Sequence, residues 1–378
     1  MDFRLSEEQQ LLRDSIARFV ANEYGFEERK KIVASEQGWS PAVWAQLADM
    51  GLLGVPFAEA HGGIGGSMVD VMVVMQELGR GLVVEPYLST VVLGGGLVNI
   101  AGSGAQKQDI LPRVAAGKWL LAAAYGEPQS RYDLHDVATT AKRDGGGFLL
   151  SGKKSVVLHG ATADTLVVSA RTAGGQRDAQ GITLFLVDAK SRGVSLSDAR
   201  TVDGLRAADV ALDGVHVGAE AALGVVDGGF ATLEAAADLG AAALCAEAVG
   251  VIEALNEATL EYLKTRQQFG QPIGRFQALQ HRAVDMLIHA EQLKSMACVA
   301  AVKSQSADAA ERRRAVSAAK SLAGRAGRAV AKEAVQMHGG MGVTNELPAA
   351  HYAKRLTMID FWLGDSDWHT ERFAAAAA

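Results

Sequence analysis

Hydrophobic positions in the first third of the chain recur at the spacing of an amphipathic helix. Ser6 and Gln9 form a capping-box pattern just ahead of the first apolar run. Ser40 and Pro41 mark a second helix start, with an N-cap serine followed by proline at the first helical position. Further helical patterns run near 67–79, 88–100 and 106–116. Residues 1–119 are therefore predicted to form an N-terminal helical domain.

The pattern changes between about residues 120 and 225, where short apolar runs alternate with clusters of Gly, Asp and Lys. The strand-like runs are 148–152, 155–158, 165–169 and 182–187. Short strands at such close intervals are typical of small antiparallel sheets. The prediction for residues 120–225 is a middle β domain, built as a small antiparallel barrel or sandwich.

Helical spacing returns from residue 226 and continues to the end of the chain. The apolar runs are 230–264, which is rich in alanine, then 279–297 and 308–337. Residues 226–378 are predicted to form a C-terminal helical domain of the four-helix-bundle type. The fold class is α+β, mostly α.

Composition narrows the class of protein. Lys and Arg number 37 against 43 Asp and Glu, which gives a net charge of −6 and argues against a nucleic-acid partner. Two cysteines make no disulfide framework, and no run of 18 apolar residues is free of glycine or charge, so we expect no membrane span. The first eight residues hold no apolar signal core, and a cytoplasmic location is expected.

Candidate chemistry concentrates in residues 266–277, between two long predicted helices. Gly270 and Pro272 predict a turn that presents neighbouring side chains together. Arg266 is suited to a pyrophosphate, Phe269 to stacking on a planar ring and Gln277 to a heterocycle. Taken alone, a purely structural turn explains the segment equally well.

A second glycine-rich segment, 61–66, would let backbone approach a phosphate. No predicted strand precedes it, so a plain loop between helices is the favoured interpretation.

Four motifs in order resemble the acyl-CoA dehydrogenase family. Arg-x-x-Phe-Gly-x-Pro-Ile followed by Phe-Gln, starting at Arg266, is similar to the family's flavin-contacting signature. Gln-x-x-Gly-Gly-x-Gly, starting at Gln336, resembles its second signature. The segment 125–128 falls where the family has Thr-Glu-Pro, and Gly152 opens the strand that there reads Gly-x-Lys-x-Trp-Ile-Thr. The resemblance extends over roughly residues 3–373.

The resemblance implies FAD, lying between subunits of a tetramer. One subunit's middle domain holds the isoalloxazine, and a neighbouring subunit reaches the pyrophosphate and adenine side. By position in the motifs, the residues implied to contact the cofactor are Arg266, Phe269, Gln277, Gln336, Gly339, Gly340 and, through its backbone, Leu158. His338 lies inside the second motif, and packing or loop hydrogen bonding is expected of it rather than a metal or base role.

The implied chemistry is α,β-dehydrogenation of an acyl-CoA thioester, a step of fatty acid metabolism. A carboxylate base takes the α-proton, and the flavin takes the β-hydride. A glutamate in a dry pocket suits the base, because burial raises its pKa toward neutral pH. An electron-transfer flavoprotein is the implied electron acceptor.

The base is missing where the family places it. Its Tyr-Glu-Gly-Thr stretch corresponds to residues 362–365, in which Leu363 replaces the glutamate. The position on the long helix that a minority of the family uses is Gly240. Asp365 is a candidate substitute, and Glu247 is a weaker one. The flavin-covering Trp and Thr are also replaced, by Val156 and Leu158.

Three interpretations follow from the missing base. The chain resembles the small subunit of two-component enzymes such as pimeloyl-CoA dehydrogenase, in which a larger homologous subunit carries the glutamate. Alternatively, it is a self-sufficient homo-oligomeric flavoenzyme that uses Asp365. A third alternative is a scaffold subunit without catalytic function.

Overall fold

The computed structural model describes residues 4–376; residues 1–3, which begin the segment tested for a signal core, and residues 377–378 lie outside it. Helices are α1 Glu7–Glu23, α2 Phe26–Ala34, α3 Pro41–Asp49, α4 Met68–Arg80, α5 Gly95–Ala101, α6 Gly104–Ala115, α7 Gly229–Thr265, α8 Gln277–Lys303, α9 Ala309–His338, α10 Pro348–Phe361 and α11 Ser366–Ala375. Strands are β1 Leu121–Ala124, β2 Thr140–Asp144, β3 Gly147–Leu158, β4 Thr165–Arg171, β5 Ile182–Asp188, β6 Val194–Arg200, β7 Arg206–Gly218, β8 Ala222–Leu223, β9 Gln267–Gln268 and β10 Gln271–Pro272. The predicted order of helical, β and helical segments is confirmed.

The helix starts follow the capping chemistry of the sequence. Ser6 Oγ accepts the Gln9 N–H at 3.2 Å, and the Gln9 side chain accepts the Ser6 N–H at 3.0 Å, which completes a capping box. Ser40 caps α3 by accepting the Val43 N–H at 3.3 Å, with Pro41 at the first helical position. Before α5, Tyr87–Gly94 forms wider π-helical turns rather than a regular α-helix.

The middle β domain is one eight-stranded sheet. Seven strands follow the order β6-β7-β3-β2-β4-β5-β8, and β1 pairs with β4 beside this path. The prediction of a wholly antiparallel sheet is wrong at β4, which pairs in parallel with β1, Leu121 opposite Thr165, and with β2, Thr140 opposite Arg171. Parallel neighbours need a long connection, and the segment between β1 and β4, which contains β2 and β3, provides one. Strands β6 and β8 end the path and do not pair with each other within residues 4–376, so hydrogen bonds do not close the sheet into a barrel.

Apolar side chains of several strands make one core inside this domain. Strand β4 is buried along its whole length, which explains why its sequence reads as a continuous apolar run rather than an alternation. The rings of Phe148 and Phe185 meet edge to face in this core, with centroids 5.0 Å apart.

The chain forms two compact units. One comprises the segment up to Lys31, Met68–Val83 and the segment from Ala241 onward. The other comprises Ile32–Ser67 and Val84–Gly240. In the first unit, α8, α10 and α11 pack on α9, and α1 and α4 join the C-terminal helices. The predicted domain boundaries at 119/120 and 225/226 remain a proposal about the organisation of the chain.

Glycines let α4 and α7 approach each other closely within that first unit. A Cβ at Gly250 would lie 1.8 Å from the Gln76 carbonyl oxygen, and one at Gly79 would lie 2.4 Å from the Glu247 carbonyl oxygen. Within residues 4–376, α7 is the single helix long and apolar enough to cross a membrane, and 83% of its apolar window is buried inside the protein. Core packing therefore accounts for its apolar character.

Candidate functional site

The turn between α7 and α8 is a small hairpin in which β9 and β10 pair antiparallel. Phe269 and Gly270 form its tip, both in the left-handed region at φ +54° and +77°. The Phe269 ring is 89% exposed and meets the Phe276 ring at 6.0 Å between centroids. The hairpin therefore holds an aromatic ring on the surface, where it is available to a planar ligand.

Arg266 enters this hairpin directly from α7. Its N–H donates to the Tyr262 carbonyl at 2.9 Å, and its own carbonyl accepts the Ile273 N–H at 2.8 Å. Its side chain is exposed, as is that of Gln277, the first residue of α8. The backbone is thus held at both ends of the turn while the polar side chains remain exposed.

The second motif ends α9. Gln336 is exposed, and Gly339 follows at φ +59°, a conformation that glycine adopts without strain. A Cβ built at Gly339 or Gly340 would meet no heavy atom within 4 Å, so open space lies beside this stretch of backbone. A ligand therefore has direct access to the backbone here.

His338 is buried and packs inside the protein. Its Nδ1 lies 2.8 Å from the Ala334 carbonyl oxygen, and its ring stacks on Tyr262 with centroids 4.5 Å apart and planes 28° from parallel. Among the described residues, no group of three or more His, Cys, Asp and Glu side chains is placed to hold a metal ion. The geometry agrees with the packing role expected for His338.

These features fit a flavin dinucleotide. A guanidinium matches a pyrophosphate, an exposed ring matches a heterocycle, and accessible backbone beside Gly339 permits close approach. The residues that would hold FAD are Arg266, Phe269, Gln277, Gln336, Gly339 and Gly340. The first unit of the chain brings both motifs together without any of these side chains being buried.

The glycine-rich segment 61–66 does not offer a phosphate site. The N–H of Gly63 donates to Ala58, that of Gly65 to Phe57 and that of Gly66 to Val55, all at 3.1 Å or less. Its donors are thus used within the loop, and the interpretation as a plain loop fits the structure.

A buried ion pair joins the third and fourth motifs in the middle domain. Lys154 Nζ lies 2.6 Å from Glu127 Oε1 and donates to Ser169 Oγ at 3.0 Å. Burial lowers the pKa of Lys154 to about 8 against the attraction of Glu127. Burial also opposes ionisation of Glu127, but the Lys154 ammonium outweighs it and holds the pKa of this carboxyl below its usual value.

Strand β3 bulges where the family has its flavin-covering residues. Its pairing with β7 shifts between Lys154 and Val157, and Val156 lies in between at φ +54°. The Val156 N–H donates to Asp209 Oδ1 at 3.0 Å, and 53% of the side chain is exposed. Leu158 ends the strand buried, so only its backbone is suited to the contact expected of it.

Hydrogen bonds hold the loop between α10 and α11, where the motifs place the family's base. Leu363 lies at φ +59°, and its carbonyl accepts the His369 Nε2–H at 3.0 Å. The buried Lys320 ammonium donates to the carbonyls of Gly364 at 2.7 Å and Asp360 at 3.0 Å. The loop therefore keeps a defined backbone, and the position that matches the base presents a leucine side chain.

Burial sets the protonation of both groups that hold this loop. It lowers the pKa of His369 to about 2, aided by the Lys320 charge, and lowers the pKa of Lys320 to about 8. A neutral His369 that donates from Nε2 accepts at Nδ1, where Ser317 Oγ lies 3.2 Å away.

The carboxylates considered as substitutes have structural partners. Asp365 Oδ1 accepts the Trp368 N–H at 2.8 Å and so caps α11. Glu247 is buried and forms a bidentate pair with Arg355, at 2.5 and 2.7 Å. Gly240 is buried within α7 and carries no side chain.

Two groups important to these motifs were not found by sequence reasoning. The alternation along β3 from Phe148 and Leu150 puts Lys154 on the buried side, and this signal could have shown that the lysine needs a buried partner. Lys320 lies on α9, 40 residues before Asp360, and no local pattern connects it with the loop that it holds.

Family models match the chain in three consecutive segments. They describe the N-terminal domain of acyl-CoA dehydrogenases at residues 6–118, the middle domain at 122–215 and the C-terminal domain at 227–378. Acyl-CoA dehydrogenase FadE12 of Mycobacterium tuberculosis is 31% identical, over 91% of this chain and 89% of that protein. The caffeyl-CoA reductase-Etf complex subunit CarC of Acetobacterium woodii is 30% identical over 96% of both chains.

A solved structure resembles the chain over its whole length. A chain of the ChsE4-ChsE5 complex from Mycobacterium tuberculosis superimposes with a TM-score of 0.89 and 28% identity, over 100% of this chain and 99% of that one. The likeness thus extends over the helical, β and helical segments rather than over one motif. The chain belongs to the acyl-CoA dehydrogenase family of FAD-dependent oxidoreductases.

Proposed function

We propose that this chain is the small, base-less subunit of a two-component acyl-CoA dehydrogenase, of the kind exemplified by pimeloyl-CoA dehydrogenase. The observation that carries the proposal is Leu363, an aliphatic side chain on a loop that Lys320 and His369 hold in a defined backbone conformation. A leucine accepts no proton, so the α-proton of a substrate needs a base from elsewhere.

The chain's own contribution is then to cofactor binding and assembly. FAD, when bound, supplies the hydride acceptor for the β-carbon of the acyl chain. Arg266 would pair with the pyrophosphate, Phe269 would stack on the adenine side, and Gln277 would hydrogen-bond there. Gln336 would assist beside the backbone of Gly339 and Gly340, and the Leu158 backbone would meet the flavin.

The partners follow from the same proposal. A larger homologous subunit would supply the glutamate within a heterotetramer, and an electron-transfer flavoprotein would accept the electrons in the cytoplasm. Two similar proteins support the proposal of a heteromeric enzyme. One belongs to the ChsE4-ChsE5 complex, and the other is a subunit of the caffeyl-CoA reductase-Etf complex.

Asp365 offers the alternative of a self-sufficient enzyme. Its Oδ1 caps α11, and a base there would have to release the Trp368 N–H or act through the other oxygen. The scaffold alternative needs no flavin at all.

The visible absorption spectrum of the chain purified alone, before and after acyl-CoA thioesters are added, tests these proposals. We expect no bleaching by the chain alone and bleaching once it is co-expressed with a glutamate-bearing homologue. Bleaching by the chain alone, abolished in Asp365→Asn, would replace the proposal by the self-sufficient enzyme. If the complex keeps its full flavin content when this chain carries Arg266→Ala, the partner alone holds the flavin. That result would favour the scaffold alternative.

A further inference from the structure

Tyr262 contacts both cofactor motifs. It lies on α7 one turn before Arg266, and its carbonyl accepts the Arg266 N–H at 2.9 Å. Its ring stacks on His338, the last residue of α9, at 4.5 Å between centroids. One side chain thus links the start of the hairpin to the start of the glycine loop.

His338 is itself fixed from three directions. A carbonyl oxygen only accepts hydrogen bonds, so the 2.8 Å contact with Ala334 requires a proton on Nδ1, and this bond sets the orientation of the ring. Tyr262 covers one face of the ring. The loop returns at Gly342, where a Cβ would lie 3.0 Å from the His338 Cβ, so the chain packs directly against His338.

Both ligand-facing segments are open at their tips. The Phe269 ring meets the Phe276 ring of its own turn, and Gly339 and Gly340 have open space beside them. The Tyr262–His338 stack adjoins both segments, one turn before Arg266 and one residue before Gly339. A second contact to α9 lies farther along, where Arg282 of α8 pairs with Glu333 at 2.9 Å. The stack therefore contributes to the distance between the hairpin and the glycine loop.

We propose that Tyr262 and His338 form a positioning pair that sets the spacing between the Arg266 hairpin and the Gly339 loop, so that both engage the ADP portion of one dinucleotide. The proposal rests on the assignment of these two segments to FAD under the proposed function. Neither residue needs to touch the cofactor, and both act through Arg266 and the backbone of the loop.

Hydrogen exchange on the apo chain tests the positioning directly. In Tyr262→Ala we expect faster deuterium uptake in both 266–276 and 339–343, whereas Tyr262→Phe keeps the ring and should match the wild type. His338→Asn keeps a donor for the Ala334 carbonyl but loses the ring, and it should behave like Tyr262→Ala. Leu260→Ala, a half-exposed position on the same helix, is the matched control.

Dinucleotide affinity is the second readout, measured by FAD fluorescence with ADP as competitor on the assembly that wild type forms. Because the aromatic pair is lost, the affinity of Tyr262→Ala for FAD and for ADP should fall about five- to tenfold. The affinity of Tyr262→Phe should stay near that of the wild type. The double variant Tyr262→Ala/His338→Asn should be no weaker than either single variant.

Three results would overturn the proposal. Uptake that rises in 339–343 alone would mean that the stack supports the loop but not the spacing. Unchanged FAD and ADP affinity in a folded Tyr262→Ala protein would remove the link to the cofactor. A wild type that binds neither FAD nor ADP would overturn the cofactor assignment itself, while hydrogen exchange would still report whether the two segments are coupled.

Discussion

At the scale of single residues, Leu363 carries the proposal that this chain lacks a base of its own. Its left-handed backbone, at φ +59°, is unusual for leucine and is held by hydrogen bonds to the carbonyls of the loop. A strained conformation persists only where its surroundings determine it, and here Lys320 and His369 do so. The loop is therefore ready to present a different side chain at the same position.

Leu363→Glu should give the purified, FAD-loaded chain a base of its own. We expect acyl-CoA thioesters to bleach the flavin on the order of 100-fold faster than in wild type, the lower range for general-base catalysis. Stopped-flow absorbance measures the rate. The control is Leu363→Gln, because glutamine has the shape of glutamate but no carboxylate. Equal bleaching rates in both variants would contradict the role of the carboxylate.

Lys154 provides a second test at a single position. Lys154→Met should destabilise the protein by about 3–5 kcal/mol, because Glu127 would remain buried without its cation. Lys154→Met/Glu127→Gln should recover much of that loss, since the charge is removed together with its partner. Urea unfolding measures both, and a double variant no more stable than the single one would refute the explanation by the unpaired charge.

At the scale of elements, the segment from α9 to α11 is organised around buried groups that titrate. The pKa of His369 in the folded chain is about 2, below the ordinary 6.5 of histidine, so the unfolded chain binds a proton that the folded chain does not. The contribution of His369 to the free energy of unfolding is therefore full above its pKa in the unfolded chain. It falls as the pH decreases toward its pKa in the folded chain. The slope for one proton is about 1.4 kcal/mol per pH unit.

This proton uptake should be visible in unfolding experiments between about pH 6 and about pH 4. The free energy of unfolding of His369→Gln should depend less on pH than that of the wild type. The difference over that interval corresponds to one proton, because the titrating ring is absent. Replacement of exposed His216, which lies in the other compact unit, serves as the control. A slope that is identical in wild type and His369→Gln would rule out a histidine kept neutral by burial.

At the scale of the whole molecule, cofactor binding should appear as stability. A ligand that binds only the folded protein adds about 2.7 kcal/mol at a concentration 100 times its dissociation constant. We expect FAD to raise the thermal midpoint of the assembled protein, and Arg266→Ala to reduce this rise. Lys264→Ala removes a charge two residues away that pairs with Glu261, and it should leave the rise unchanged.

Much of the element pattern was predictable because it rests on local physics. The capping box at Ser6, the N-cap at Ser40 and the strand-like runs around Leu150 and Leu166 depend on neighbours in sequence, and the structure has elements there. The polar helix α2 was missed, since a stretch rich in charge has little apolar periodicity. The parallel partner of β1 was missed because pairing between distant strands leaves no local signal.

The sequence by itself determined the order of helical and β segments, the two motifs that resemble the family's signatures and the leucine at position 363. Each of these depends on residue type and spacing along the chain. Only the tertiary structure decided that Lys154 meets Glu127, that Lys320 holds the loop at Leu363 and that Tyr262 stacks on His338. Such contacts join residues tens of positions apart, and they form because a buried polar group or ring must find its partner wherever packing brings one.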